Sequence, residues 1–281
     1  MKYKLLALDV DGTLIGADQR VSRETIEALV AAEAAGLRIC LATGRSYGET
    51  LPVWRQLPLD ASREPMVLIG GALVAECHTG RTLSQWPIAH DDVRRFAAAL
   101  AEAGYSTMAI VDSWRWGVDY YLFKADDAHR LEDLWFSKMK ATVRPFPDSS
   151  QDEMPDALRM HAVIDPADAA TLEADMQRRF AGRLNLHAIE APNYHVTILE
   201  AFSPVADKWA GVHYVAQRYR IGAGQIVTVG DDVNDLPMIR AAGLGVAAPA
   251  AKPAVRAAAR YFAADGLPAF IRRLVAGETF E

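Results

Sequence analysis

Two acidic motifs, each placed directly after a short apolar run, are the parts of this chain best equipped for chemistry. Asp9-Val10-Asp11-Gly12-Thr13 closes the run over residues 4–10, which reads as a buried strand. Gly230-Asp231-Asp232-Val233-Asn234-Asp235 follows the apolar run 226–229. In a parallel α/β sheet, ligands bind beyond the carboxyl ends of the strands, so both motifs start where a site is expected. Carboxylates two residues apart repel unless a cation or a shared proton stands between them. A hard divalent ion meets that need, and magnesium suits oxygen ligands combined with phosphate. Each motif has a plainer reading as well. Asp11-Gly12 is also a hairpin signal, and the second cluster could be an acidic turn capping a helix. An EF-hand does not fit, because the loop lacks the glycine and terminal glutamate at their required spacing. Acid clusters at two strand ends are harder to explain as turns than either one alone.

Two further signals are weak singly. Thr43-Gly44-Arg45-Ser46 follows the apolar run 37–42. A hydroxyl and backbone amides there can cradle a phosphate, helped by the N-terminus of a following helix. Thr-Gly is also a common cap or turn. Lys208, shortly after Pro204, supplies a point positive charge for a phosphate. A lone lysine is more often a solvated surface residue.

The elements that must hold these residues follow an alternating pattern. A strand over 4–10 leads to a helix capped by Ser22, with Ile26, Leu29 and Val30 on one face and Gly36 at its end. A second strand covers 37–42, a helix disturbed by Pro52 follows Arg45, and a third strand over 66–69 closes at Gly70-Gly71. Strand–helix alternation of this kind predicts a parallel sheet covered by helices. The pattern changes from about residue 86 to 190: helices are expected over 91–103, 126–138 and 166–180, strands over 105–111, 116–123, 158–164 and 183–189, and a loop over 145–155. Alternation then returns, with strands over 196–201, 225–229 and 244–247 and helices over 208–219 and 236–242. The expected fold is therefore α/β. A Rossmann-like parallel sheet core, with helices on both faces, is built from residues 1–85 and 191–281, and residues 86–190 form an inserted α+β domain with an antiparallel sheet.

Composition narrows the function. The 281 residues are 51% hydrophobic and 23% charged, enough to bury a core. A formal net charge of -6 argues against general affinity for nucleic acid or an anionic membrane. Cys40 and Cys77 are the two cysteines, which fits a reducing compartment rather than a disulfide scaffold. The apolar stretch at the N-terminus is too short for a signal peptide and is interrupted by Asp9, and no run is long enough to span a membrane, so a cytoplasmic protein is expected. Zinc is not expected, since no paired Cys/His spacing occurs.

Taken together and in this order, the four motifs resemble those of the haloacid dehalogenase-like hydrolases, and among them the Cof-type phosphatases of subfamily IIB, which carry an α/β cap. The resemblance covers residues 4–85 and 194–281; the insertion carries no motif that matches. It implies that Asp9 attacks phosphorus and becomes an aspartyl-phosphate, with Asp11 as general acid and then base. It implies Mg2+ held by Asp9, the backbone carbonyl of Asp11, and Asp231, with Asp232 and Asp235 nearby orienting waters or Lys208. Thr43, Gly44, Lys208 and Asn234 would contact the phosphoryl oxygens. The dehalogenases of the superfamily lack an acid at the position of Asp11, so Asp11 favours phosphoester chemistry. The implied substrate is a small phosphorylated metabolite, a sugar phosphate or a related polyol or cofactor phosphate.

Three positions depart from the family pattern. Gly70-Gly71-Ala72 stands where relatives often have Asn-Gly-Ala, Trp209 where glycine often follows the lysine, and Ala250 where an asparagine is common. These bear on substrate preference more than on catalysis. In the insertion, Trp114, Trp116, Tyr120, Tyr121, Phe123, Trp135 and Phe136 could stack on a sugar or heterocycle, but the reading preferred here is that they pack the sheet against its helices. His161, His187, Glu190 and Asn193 are the other candidates for substrate contact. Three alternatives stay open: a phosphotransferase or mutase using the same intermediate, a receiver domain, and a binding protein that has lost turnover. The distance between Thr43 and Lys208 and the spacing of Asp9 and Asp11 weigh against the receiver.

Overall fold

Strands buried on both faces read as continuous apolar runs, and the first such run sets the architecture. The computed structural model describes residues 2–59, 64–125, 131, 141–146, 155–191 and 195–280. In chain order its elements begin with β1 (Leu5–Leu8), α1 (Arg23–Ala34), β2 (Arg38–Leu41), α2 (Tyr47–Trp54), β3 (Met66–Leu68), β4 (Leu73–Ala75) and β5 (Thr82–Gln85). An insertion follows with α3 (His90–Glu102), β6 (Thr107–Val111), α4 (Ser113–Trp116), β7 (Tyr120–Phe123), β8 (Val143–Pro145), β9 (Ala157–Ile164), α5 (Pro166–Arg179), β10 (Asn185–Ala191) and β11 (Val196–Phe202). The chain ends with α6 (Lys208–Arg218), β12 (Ile226–Gly230), α7 (Leu236–Ala241), β13 (Leu244–Ala247), α8 (Pro253–Ala258), β14 (Tyr261–Phe262) and α9 (Leu267–Val275). These form two compact units, Met1–Ser84 with Asp207–Glu281, and Gln85–Ala206.

In the first unit β14, β13, β12, β1 and β2 lie side by side and all parallel. Every residue of β1, β12 and β13 is buried, so both faces of the sheet are covered. Helix α1 packs with α9, and α6 packs with α7. Ser22 caps α1 as its sequence promised, its Oγ accepting from the Thr25 amide at 3.1 Å. Strand β1 stands between β2 and β12, where the strand order reverses. That is the switch point at which such sheets open a ligand crevice. The register is flush: Leu8 lies level with Leu41 and with Val229. Asp9, Ala42 and Gly230 therefore leave three neighbouring strands at one level. Strand β3 joins the end of β2 through the parallel bridge Ala42–Val67. Just beyond it Gly71 has φ +100°, and a Cβ there would lie 1.8 Å from the Asp207 carbonyl oxygen. Only glycine lets the start of α6 come so near.

The second unit is a sheet in the order β10-β11-β9-β6-β7-β8. Val93, Phe96 and Leu100 recur at helical spacing on α3, and they join Met176 of α5 and Met160, Ala162 and Leu199 of the sheet in one core.

The structure departs from expectation in several places. Residues 195–206 belong to the inserted unit rather than the parallel core, because β11 pairs antiparallel with both β9 and β10. The sheet is antiparallel except for β7 and β8, which run parallel. The strand expected over 116–123 begins only at Tyr120, and Trp116 ends a helical turn over 113–116: the Asp112 side chain accepts from the Trp114 amide at 3.0 Å and Gly117 ends the turn at φ 65°. Pro145 ends β8 instead of opening a loop. The expected helix over 126–138 falls almost wholly outside the described residues. No described helix is long and apolar enough to cross a membrane.

Candidate active site

The loop after β1 turns back on itself. Leu14 and Ile15 both donate to the Val10 carbonyl at 3.0 Å, and Gly12 donates to the Ile15 carbonyl at 3.0 Å. Gly12 has φ +81°, and a Cβ there would lie 2.4 Å from the Asp231 carboxylate. The motif needs its glycine for conformation and for space. Thr13 Oγ1 then donates to Asp231 Oδ1 at 2.8 Å, which ties the loop after β1 to the loop after β12. Asp9 is buried and Asp11 is exposed.

Lys208 opens α6, behind the cap formed by Asp207, whose side chain accepts from the Ala210 amide at 2.7 Å. Its side chain is only 1% exposed, and its ammonium donates to Asp9 Oδ1 and to Asp235 Oδ1, both at 2.6 Å, with Asn234 Oδ1 at 3.5 Å. A buried charge must be paired and hydrogen-bonded, and here the partners come from two different strand ends. Asp235 is fully buried, and its Oδ2 accepts from the amides of Asp231 at 2.9 Å and Asp232 at 3.0 Å. It locks the acidic loop and the lysine at once. Gly230 makes room for this carboxylate, since a Cβ there would lie 2.4 Å from it.

Burial pushes the Asp9 carboxyl well above its usual range; Lys208 pulls it back, while Asp235 and Asp231 add to the rise. Burial works against the charge on Lys208, but Asp235 and Asp9 outweigh it and hold the ammonium well above its ordinary value. Asp231 is raised by burial and by Asp235, against the Thr13 hydrogen bond. The group is thus short of positive charge. Carboxylate oxygens of Asp9, Asp231 and Asp235 lie within 4.8 Å of one another, and three negative charges against one ammonium leave a formal -2. A divalent cation would cancel that. The donor set is oxygen only, the choice of hard cations. Both oxygens of Asp235 are already engaged with Lys208 and the loop amides, whereas Asp9 and Asp231 face each other as well as Lys208 and Thr13. These residues fit a divalent metal.

The remaining candidates divide. Thr43 is buried at the end of β2; its amide donates to the Val67 carbonyl at 2.9 Å and its Oγ1 accepts from the Arg45 amide at 3.2 Å. At Gly44 an added Cβ would meet nothing within 4 Å, so the chain opens onto space there. Asn234 turns its oxygen toward Lys208. Asp232 is drawn to Lys252 at 2.7 Å rather than to Lys208, and it caps the turn Val233–Asp235. The Asp11 carboxylate is not part of the acidic cluster. It is held by Arg45, whose part the sequence did not reveal, because nothing local announces a pair between residues 34 apart. Trp209, one of the three departures, stacks on His213 with ring centroids 5.4 Å apart.

The inserted unit's candidates are mostly packed. Tyr120 and Tyr121 are buried, Trp116 packs against the core, and Phe123 stacks on Phe146 at 3.8 Å. Among the described aromatics of this group Trp114 is exposed, at 55%. His161 is buried beside Tyr120, with burial, chiefly, pushing its pKa down to about 3. His187 lies 3.3 Å from Glu200, and Glu190 is exposed. Trp135, Phe136 and Asn193 lie outside the described residues.

Comparison with known proteins gives a consistent picture. The family described as haloacid dehalogenase-like hydrolase matches residues 6–266. The Bacillus subtilis protein YxeH is 28% identical over 262 residues, 92% of each chain. The 5-amino-6-(5-phospho-D-ribitylamino)uracil phosphatase YitU of Bacillus subtilis is 25% identical over 249 residues, 88% of this chain and 86% of its own. Among solved structures, the subclass IIB sugar phosphatase BT4131 superposes with a TM-score of 0.74 at 21% identity, covering 96% of this chain and 98% of that one. At that identity the likeness speaks for the fold.

Proposed function

The chain belongs to the haloacid dehalogenase-like hydrolases, as a phosphatase of the Cof type, and from that premise we propose that it is a Mg2+-dependent hydrolase working through an aspartyl-phosphate on Asp9. Asp9 Oδ attacks phosphorus; the bond to the leaving oxygen breaks, and that oxygen takes its proton from Asp11. Water then gives a proton to Asp11 and attacks phosphorus, which frees phosphate and restores the Asp9 carboxylate.

The observation that carries this reading is the buried constellation of Asp9, Lys208 and Asp235 beside Asp231. Of the two aspartates in the first motif, the buried one has a lysine 2.6 Å away to orient it, and the exposed one stands outside that cluster, which supports Asp9 as nucleophile and Asp11 as proton carrier. Lys208 meets the charge that spreads over the phosphoryl oxygens, and Asp235 keeps it in place. Thr43, Gly44 and Asn234 are assigned to the same oxygens. Mg2+, on Asp9, Asp231 and the Asp11 carbonyl, would supply the charge neutralisation that the -2 cluster lacks.

The substrate class is a small phosphorylated metabolite, a sugar phosphate or a related polyol or cofactor phosphate. The name of YitU, a phosphatase acting on a ribitylamino phosphate, favours a polyol-like ester. The inserted unit is read as the cap that chooses among leaving groups, and the compartment as cytoplasmic. The test is inorganic phosphate release from a panel of sugar, polyol, nucleotide and cofactor phosphates, with and without Mg2+, for the wild type and Asp9→Asn. Release that needs both the ion and Asp9 is expected. Release undiminished in Asp9→Asn would remove the mechanism.

A further inference from the structure

The carboxylate assigned to proton transfer is held by both of its oxygens. Arg45 Nε donates to Asp11 Oδ2 at 2.7 Å, and its Nη2 pairs with Asp11 Oδ1. The same Nη2 donates to Gln19 Oε1 at 2.5 Å, and Nη1 to the Glu49 carbonyl at 3.4 Å. The backbone of Arg45 is tied as well: its amide donates to Thr43 Oγ1 at 3.2 Å, and its carbonyl accepts from the Ile69 amide at 2.9 Å. One residue thus joins the loop after β1, the hydroxyl after β2 and the turn after β3. The Arg45 side chain is 20% exposed and the Asp11 side chain 53%, so the arginine is the anchored member of the pair. A planar guanidinium fork fixes the direction of a carboxylate as a lysine cannot.

Resting on the phosphatase reading above, we infer that Arg45 is the positioning residue for proton transfer, orienting Asp11 toward the leaving oxygen. A carboxyl group needs only one oxygen to carry a proton. The other can stay on the guanidinium while the first reaches the ester. The proton goes to the leaving oxygen as its bond to phosphorus breaks and the electron pair moves onto it. An alkyl leaving group needs that proton, because an alkoxide leaves poorly. A nitrophenolate leaves without it. Loss of Arg45 therefore acts on one kind of ester and spares the other.

The experiment measures kcat/KM, which reports every step up to departure of the leaving group, for an alkyl phosphate and for p-nitrophenyl phosphate. Arg45→Met should lose roughly 10²-fold on the alkyl ester and stay within about threefold on the aryl ester. Asp11→Asn should lose the alkyl activity at least as fully as Arg45→Met, and Arg45→Lys should recover part of it. A retained kcat/KM on the aryl ester certifies that Arg45→Met is folded. If Arg45→Met does not fold, Gln19→Ala, which removes the other tether on Nη2, should show a smaller split of the same sign. An equal loss on both esters would overturn the inference, since the arginine would then serve the phosphoryl group or the fold. No loss on either would also overturn it. A wild type whose release from both esters is independent of Asp9 would remove the phosphatase reading and this inference together.

Discussion

Each unit of the molecule buries a cation among carboxylate-bearing strands, and the two clusters differ in what is left over. In the parallel-sheet unit Lys208 is shared by Asp9 and Asp235, with Asp231 beside them, and the sum is -2. In the inserted unit Arg159 Nη1 lies 2.8 Å from Glu200 Oε1, and His187 lies 3.3 Å from the other oxygen. His161, level with Glu200 on the neighbouring strand, is neutral, because burial and Arg159 drive its pKa down to about 3. Burial raises the Glu200 carboxyl, but Arg159 and His187 more than reverse this, and its pKa falls to about 2. Arg159 and Glu200 cancel. Burying charge is costly in both places. Of the two, the first cluster alone keeps unmet negative charge, which is what a metal cation needs. A buried ion pair is therefore not a site by itself; imbalance is the better marker.

The sharpest way to break this comparison is to remove the cation from each cluster. Lys208→Met strands two buried carboxylates, so we expect a loss of about 3–5 kcal/mol together with turnover lowered by at least about 10²-fold. A divalent cation should restore part of the stability and little of the rate. Thermal unfolding and phosphate release, with and without Mg2+, read both. In the balanced cluster Arg159→Leu alone should cost about 3 kcal/mol, while Arg159→Leu with Glu200→Leu should come back to within about 1 kcal/mol of wild type. Urea unfolding followed by near-ultraviolet circular dichroism would measure it. A double variant no better than the single one would mean that the pair is not self-contained.

Acid should act through the inserted unit, with a smaller effect. His161 is neutral when folded, so the unfolded chain binds its proton first as pH falls below about 6.5, and stability is lost from there toward pH 3. Glu200 is ionised when folded, so its contribution is present above about 4.5 and lost toward pH 2. Both changes have the same sign. At pH 5.5 the histidine accounts for a loss of about 1 kcal/mol. His161→Phe should flatten the stability curve between about pH 6.5 and 4.5, read from thermal midpoints.

Much of the candidate site was legible because its residues sit directly behind apolar runs. Asp9, Thr43 and Asp231 each follow a strand that reads plainly, and the flush register of β1 with β2 and β12 converts three sequence positions into one place. Lys208 looked like a surface residue by itself, and its 1% exposure comes from partners 199 and 27 residues away. Arg45 was hidden for the same reason. Strands β4, β5, β8 and β14, each of four residues or fewer, were not read from the sequence. The return to the core was set too early because β11 is buried at every position, like a core strand, yet it lies between two antiparallel neighbours.

The central claim is that Asp9 becomes covalently phosphorylated. The direct measurement is to mix the protein with an excess of a phosphate ester that it hydrolyses, quench in acid, reduce with borohydride, and map the peptides by mass spectrometry. The account predicts homoserine at position 9 in the wild type, where the acyl phosphate has been reduced, and none in Asp9→Asn. Modification at another residue, or steady turnover with position 9 unmodified at every quench time, would contradict it.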